Sequence, residues 1–247
     1  MSEQPQLSKR RRGIYLLPNL FTTAAMFAGF YAVTAAINHR FELAAIAVFV
    51  SMVLDGMDGR VARMTNTQSE FGGEYDSMSD LISFGVAPAV LIYIWSLSEL
   101  GKLGWVAAFV HCAGGALRLA RFNTQIGTAD KRYFQGLASP AAAAIIAGFV
   151  WLSIDQGWDG QTLAYVSSVL AITTGLLMVS NIRYYSFKDI DFHGRMPFVK
   201  AIMIMLAFAV IFTHPPLTLF AMFAGYAVSG PILTLLVLRQ HRMGRKS

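Results

Sequence analysis

One cysteine, Cys112, stands in the whole chain of 247 residues. A lone thiol excludes an intrachain disulfide and a thiolate zinc cluster. Charge is scarce as well: Asp, Glu, Lys and Arg make up 14% of the residues, against about a quarter in soluble domains. A soluble fold of this length has no need to be so poor in charge. No internal repeat, low-complexity tract or long linker breaks the chain. Solenoid and multidomain arrangements are therefore set aside, and residues 1–247 read as a single membrane domain.

What fills the sequence is apolar, 55% of it. A helix crossing the hydrocarbon core needs about 20 mostly apolar residues. Eight stretches qualify, near 17–38, 41–63, 76–98, 103–121, 137–154, 161–181, 198–213 and 217–238. Their continuous character predicts helices, since barrel strands alternate over about ten residues. The expectation is an all-α polytopic bundle of about eight transmembrane helices. The first follows a basic stretch, as a secretory signal does, but seven more follow it and it reads as a retained helix.

Net charge is +6, and its placement is more informative than its size. Basic residues crowd both ends, Lys9 to Arg12 and Arg239 to Lys246, beside apolar spans. That pattern fits anchors facing anionic headgroups or solvated tails, and not a nucleic-acid surface. With eight spans, only Arg40 and Lys102 of the 20 Lys and Arg residues fall on the side away from the termini. Positive charge stays on the cytoplasmic side. Both termini and the connections 64–75, 122–136 and 182–197 are expected there.

Against this apolar background four carboxylates stand out. Asp55 and Asp58 lie in the second span, and Asp76 and Asp80 open the third. An ionised group in a membrane segment is costly and signals function. Spacings of three and four put each pair on one helical face. The two helices are consecutive and joined by a short loop, so the pairs can converge at one depth. Four such groups in one pocket repel unless cations neutralise them. Oxygen ligands without His or Cys favour magnesium or manganese over zinc. Gly59 and Gly72 flank the acids, where a ligand must approach the backbone closely.

The stretch runs Asp55, two residues, Asp58-Gly59, two residues, Ala62-Arg63, eight residues, Gly72, three residues, Asp76, three residues, Asp80. This resembles the signature of the CDP-alcohol phosphatidyltransferase family, complete at eight positions across 26 residues. The resemblance implies a six-helix catalytic core, about residues 13–200, with two further C-terminal helices at about 198–238. It implies two divalent metal ions, Mg2+ or Mn2+, held by Asp55, Asp58, Asp76 and Asp80, with Asp80 also the general base. Gly59, Ala62, Arg63 and Gly72 would line the CDP site. Pro18-Asn19-Leu-Phe-Thr22 resembles the start of the family's first helix, which brings Asn19 to the nucleotide.

Within the family, several segments look like the membrane-embedded bacterial phosphatidylserine synthases. They are Asp76 through Pro88, Arg118-Leu-Ala-Arg121-Phe-Asn123, Phe134 through Pro140 and Asn181 through Lys188. Ala138 departs from them, since members usually carry proline there. The resemblance implies CDP-diacylglycerol and serine as substrates, an inner-membrane enzyme with its site at the cytoplasmic face, and homodimers. Arg118, Arg121 and Asn123 are candidates to hold the acceptor, whose carboxylate suits a guanidinium. The same acids would also serve transfer to glycerol phosphate, inositol phosphate or choline. A cation transporter would use such a cluster too, but it leaves Arg63 and the glycines without a role. Ser139, before Pro140, either caps that helix or faces substrate. His111 reads as a helix–helix hydrogen bond, and Tyr184-Tyr185 as part of an interfacial aromatic belt.

Overall fold

A computed structural model describes residues 9–65, 69–124, 133–185, 202, 205–206, 209 and 211–244. Its elements are α1 (Lys9–Ile37), α2 (Phe41–Thr65), α3 (Glu70–Trp95), a short 3-10 turn (Leu97–Leu100), α4 (Lys102–Thr124), β1 (Tyr133–Gln135), α5 (Ser139–Asp155), α6 (Ala164–Val179), β2 (Arg183–Tyr185) and α7 (Pro215–Gly244). The all-α membrane architecture expected from the sequence is what forms. Pro18–Ile37, α3, α4 and Pro215–Thr234 are each long and apolar enough to cross a bilayer, and α5 and α6 are shorter apolar helices. Seven of the eight predicted spans fall on these helices, whereas 198–213 lies for the most part outside the described residues.

Small residues bring α1 and α2 together. Ala32, Ala35 and Ala36 of α1 are buried in one cluster with Ala44, Ala45 and Ala47 of α2. In a bilayer, where lipid tails are as apolar as leucine, such small faces allow the close backbone approach that association requires. A tight turn joins them, with His39 at φ 57° and the Arg40 N–H donating to the Ala35 carbonyl at 2.8 Å. Large apolar side chains such as Phe27, Phe30, Trp105, Phe109 and Val169 point outward, as suits a lipid-facing surface.

α3 starts at Glu70, six residues before the predicted span. The Ser69 side chain caps it by accepting from the Gly72 N–H at 3.0 Å. Its first turns are polar, so a hydropathy window passes over them. A π-helical turn, Leu81–Val86, interrupts α3 directly after Asp80. Pro88 follows, and its ring nitrogen has no hydrogen for the Phe84 carbonyl four residues back. His111 on α4 sits there, with Nε2 3.2 Å from that carbonyl and Nδ1 2.9 Å from the Thr174 hydroxyl of α6. A carbonyl only accepts, so Nε2 carries the proton. The buried histidine thus ties α3, α4 and α6.

α5 is the central helix: Ala141 through Val150 are all buried, among α2, α3, α6 and α7. The strands are a small addition to the helical bundle. Tyr133, Phe134 and Gln135 pair antiparallel with Tyr185, Tyr184 and Arg183. They join two connections that the charge pattern had assigned to one side.

α4 and α6 cross where glycine faces glycine. A Cβ on Gly175 would lie 2.5 Å from the Val110 carbonyl oxygen and 3.0 Å from the His111 Cα, both backbone atoms that cannot step aside. Gly175→Ala is expected to destabilise the protein by about 1–3 kcal/mol. Gly225→Ala, where a Cβ meets nothing within 4 Å, should stay within about 0.5 kcal/mol of the parent. Thermal unfolding in detergent checks both, and equal melting temperatures would refute the crossing as drawn.

Candidate functional site

At one end of the bundle, α2 brings Asp55 and Asp58, and α3 brings Asp76 and Asp80. α1 packs against both α2 and the first turns of α3, whereas α2 and those turns scarcely touch. A gap therefore remains between the two acid-bearing faces, and the carboxylates reach into it. Oxygens of Asp55, Asp76 and Asp80 all lie within 4.8 Å of one another. Asp55 faces Asp80 within hydrogen-bonding reach, and Asp58 faces Asp76 in the same way.

Thr22 of α1 pins the two sides. Its hydroxyl donates to Asp58 Oδ2 at 2.8 Å, and its carbonyl accepts from the buried Ser79 hydroxyl of α3 at 3.1 Å. Ser51 of α2 and Ser83 of α3 converge on another α1 carbonyl, that of Ala25, at 2.8 and 3.2 Å. Gly29 makes this possible, since a Cβ there would sit 2.5 Å from Ser83 Oγ. The first helix is thus the scaffold on which both acid pairs are hung.

The cluster fits a divalent cation. All the ligand atoms are carboxylate oxygens, the set that magnesium and manganese prefer. Asp76 Oδ1 and Asp80 Oδ1 are buried without any hydrogen-bond partner, a costly condition unless something charged satisfies them. Among the described residues, none of the four acids forms an ion pair with Lys, Arg or His.

Beside the acids lies a cavity of about 270 Å³ lined by Pro18, Asn19, Thr22, Asp58, Gly59, Ala62, Arg63, Ser69, Gly72, Gly73 and Asp76. All five residues expected at a nucleotide site, Asn19, Gly59, Ala62, Arg63 and Gly72, are among them. Glycine at 59 leaves the space there open, as a Cβ would meet nothing within 4 Å. Gly72 has a different reason: a Cβ would come 3.0 Å from its own capping Ser69 Oγ and 3.5 Å from Asn19 Oδ1.

The three residues expected around an acceptor do not converge. Arg118 turns inward, donating from Nη1 to Ser139 Oγ at 3.0 Å, within electrostatic reach of Asp80 and Tyr226. Arg121 donates from Nη1 to the Ser180 carbonyl at 3.4 Å and to Asn181 Oδ1 at 3.3 Å. Asn123 is two residues further on, about 200° around the helix, and exchanges hydrogen bonds with Ser77 of α3 at 3.1 and 3.4 Å. Ser139 does not cap α5: Ala138 holds the N-cap position without a side-chain bond, which leaves the serine hydroxyl for Arg118.

Tyr184 is no member of an interfacial belt. It is fully buried, and its hydroxyl donates to the Ala227 carbonyl of α7 at 3.1 Å. Burial, and then neighbouring Tyr226, pushes its phenol up to about 12, so it donates as a neutral hydroxyl at any physiological pH. The sequence placed Thr22 only within the segment resembling the family's first-helix entry, without a role of its own, and gave none to Tyr226. Thr22 carried a signal, standing three residues after Asn19 on the same helical face. Tyr226, more than a hundred residues from Arg118, carried none.

The profile of the family described as CDP-alcohol phosphatidyltransferase matches residues 15–231. A Helicobacter pylori protein named CDP-diacylglycerol–serine O-phosphatidyltransferase is 37% identical over 227 residues, 91% of this chain and 93% of that protein. A protein of the same name from Methanocaldococcus jannaschii is 38% identical over 181 residues, 73% of this chain and 80% of its own length. Another, from Mycobacterium leprae, is 30% identical over 231 residues, 92% and 76% respectively.

Thr22→Val removes the hydroxyl that donates to Asp58 while keeping the shape of the side chain. Manganese affinity, followed by paramagnetic resonance titration in detergent, should fall about tenfold, the loss expected when a ligand's own support is removed. Asp76→Ala should lower it further. Unchanged titration curves in both would rule out a cation at this cluster.

Proposed function

The chain belongs to the CDP-alcohol phosphatidyltransferase family, and from that premise we propose that it transfers the phosphatidyl group of CDP-diacylglycerol to the hydroxyl of L-serine. The products are phosphatidylserine and CMP. The observation that carries this reading is the meeting of Asp55, Asp76 and Asp80 from two helices, with Asp58 facing Asp76, beside a cavity lined by Asn19, Gly59, Ala62, Arg63 and Gly72. The names of the similar proteins from Helicobacter pylori, Methanocaldococcus jannaschii and Mycobacterium leprae favour serine among the alcohols the chemistry would accept.

In this reading the lipid's acyl chains stay in the bilayer and its pyrophosphate lies at the acid cluster. Two divalent ions held by Asp55, Asp58, Asp76 and Asp80 would neutralise the pyrophosphate and the charge that grows on departing CMP. Arg63 stands at the cavity wall, and its planar fork suits phosphate oxygens. Thr22 keeps Asp58 turned toward Asp76. The serine oxygen attacks the phosphorus that bears diacylglycerol, its new P–O bond forms, and the bond to the CMP oxygen breaks. Asp80 takes the hydroxyl proton as this happens. Most of the rate gain comes from fixed charge and positioning, as in other phosphoryl transfers.

The segregation of Lys and Arg supports a bacterial inner-membrane orientation with both termini and this site facing the cytoplasm. Homodimers are expected from the family resemblance alone.

Purified protein is incubated with CDP-diacylglycerol and, separately, serine, glycerol phosphate, inositol phosphate or choline, and CMP release is measured. Serine alone should support it, chelation should stop it, and magnesium or manganese should restore it. Release with inositol phosphate but not serine would overturn the acceptor assignment. Asp80→Asn should abolish turnover while CDP-lipid binding stays within about threefold, since the amide keeps an oxygen but cannot accept the proton. Undiminished turnover would remove Asp80 from the role of base.

A further inference from the structure

α7 lies outside the six-helix core implied by the family signature, yet it is fastened in an unusual way. Pro231 stands inside it. Without an N–H, that residue leaves the carbonyl of Ala227, four residues earlier, without its helical donor. The Tyr184 hydroxyl fills the place at 3.1 Å. Gly230 makes room, since a Cβ there would collide with the Tyr184 ring. Tyr184 belongs to β2, and β2 is held by β1 and by the Gly136 N–H, which donates to the Ile182 carbonyl at 2.9 Å. The strand pair is therefore plugged into the one turn of α7 that proline has opened.

Next to Ala227 stands Tyr226, its ring 5.4 Å from that of Tyr184 and tilted by 45°. Tyr226 lies within electrostatic reach of Arg118, and Arg118 within reach of Asp80. Arg118 spends Nη1 on Ser139, but its Nε is buried with no partner. A buried guanidinium N–H without an acceptor is costly, and a carboxylate is the group that suits it best.

We propose that α7 completes the acceptor end of the site: Tyr226 and the Nε–H of Arg118 together receive the acceptor's carboxylate, and Tyr184 positions Tyr226 by closing the gap left by Pro231. This rests on serine being the acceptor, and it names which of the candidate cations binds serine and what joins it. Arg121, bonded to Ser180 and Asn181, is a structural contact in this scheme.

The test separates the two substrates. Tyr184→Phe keeps the ring and removes the hydroxyl, and the KM for serine should rise about fivefold, the worth of one hydrogen bond. The KM for CDP-diacylglycerol should change less than about twofold, since the nucleotide cavity draws on α1, α2 and α3. Pro231→Ala returns an N–H that can reach the Ala227 carbonyl, so the Y184F/P231A double variant should recover most of the serine affinity. Tyr226→Phe, which leaves the Tyr184 bond in place, should show the same split between substrates. An equal rise in both KM values, no recovery in the double variant, or an unchanged serine KM in Y226F would each overturn the proposal. Failure of the acceptor assignment reads differently: the unaltered protein would release no CMP with serine, and this inference would fall with it.

Discussion

Asp55, Asp76 and Asp80, whose oxygens lie within 4.8 Å of one another, and Asp58, which faces Asp76, cannot all remain charged without something positive among them. Two unit charges about 4 Å apart repel by about 4 kcal/mol even at an effective dielectric constant of 20. The described residues supply little relief: a hydroxyl from Thr22 to Asp58, and an arginine, Arg118, near Asp80 but bonded elsewhere. Among the described residues no Lys, Arg or His pairs with these acids, and in the proposed function divalent cations supply the balance. This explains why α2 and α3 are kept slightly apart and hung on α1 rather than packed face to face. Direct packing would close the space between the acids, which the proposed function fills with cations and a pyrophosphate.

A second constraint shapes the rest of the bundle. Proline in a membrane helix frees a carbonyl four residues earlier, and no water is at hand to satisfy it. Twice among the described residues a buried side chain from another element fills that position: His111 at Phe84, before Pro88, and Tyr184 at Ala227, before Pro231. Each is also the point where distant elements meet. His111 joins α3, α4 and α6 one turn beyond Asp80, and Tyr184 joins the strand pair to α7. A proline that weakens its own helix thereby creates a specific docking point, since only a donor of the right reach will seat there.

This also shows what could be read in advance. The acids were legible because charge inside an apolar run is rare and spacings of three and four define a face. Gly59, Ala62, Arg63 and Gly72 were picked out by resemblance to the family signature, which fixes their places relative to those acids. Everything in that group lies between Asn19 and Asp80, within one local stretch of chain. Tyr184 was misread because an aromatic pair near a span's end looks the same whether it faces headgroups or plugs a helix. What decides is Pro231, which frees the Ala227 carbonyl, 43 residues beyond the tyrosine, to accept its hydroxyl. Arg118 and Arg121 share a helical face, yet one turns to Ser139 and the other to Asn181, a choice set by α5 and the end of α6 and not by α4 itself. The start of α3 was missed because its first turn is polar and held by a cap.

The two ends of the site therefore differ in how they are encoded. The end that holds the acids and the cavity beside them is built from three consecutive helices, so its residues keep fixed spacings that a signature can capture. The proposed acceptor end draws on Arg118 of α4, Ser139 of α5, Tyr184 of β2 and Tyr226 of α7, and no short spacing relates them. An insertion or a shift in any connection between those elements would move one member against the others while leaving the acids untouched. Transfer chemistry would then persist while acceptor preference changed. A family that shares one reaction and varies in the alcohol it uses is what such a division of labour makes physically available, because selectivity can be altered without disturbing the charges on which the reaction depends.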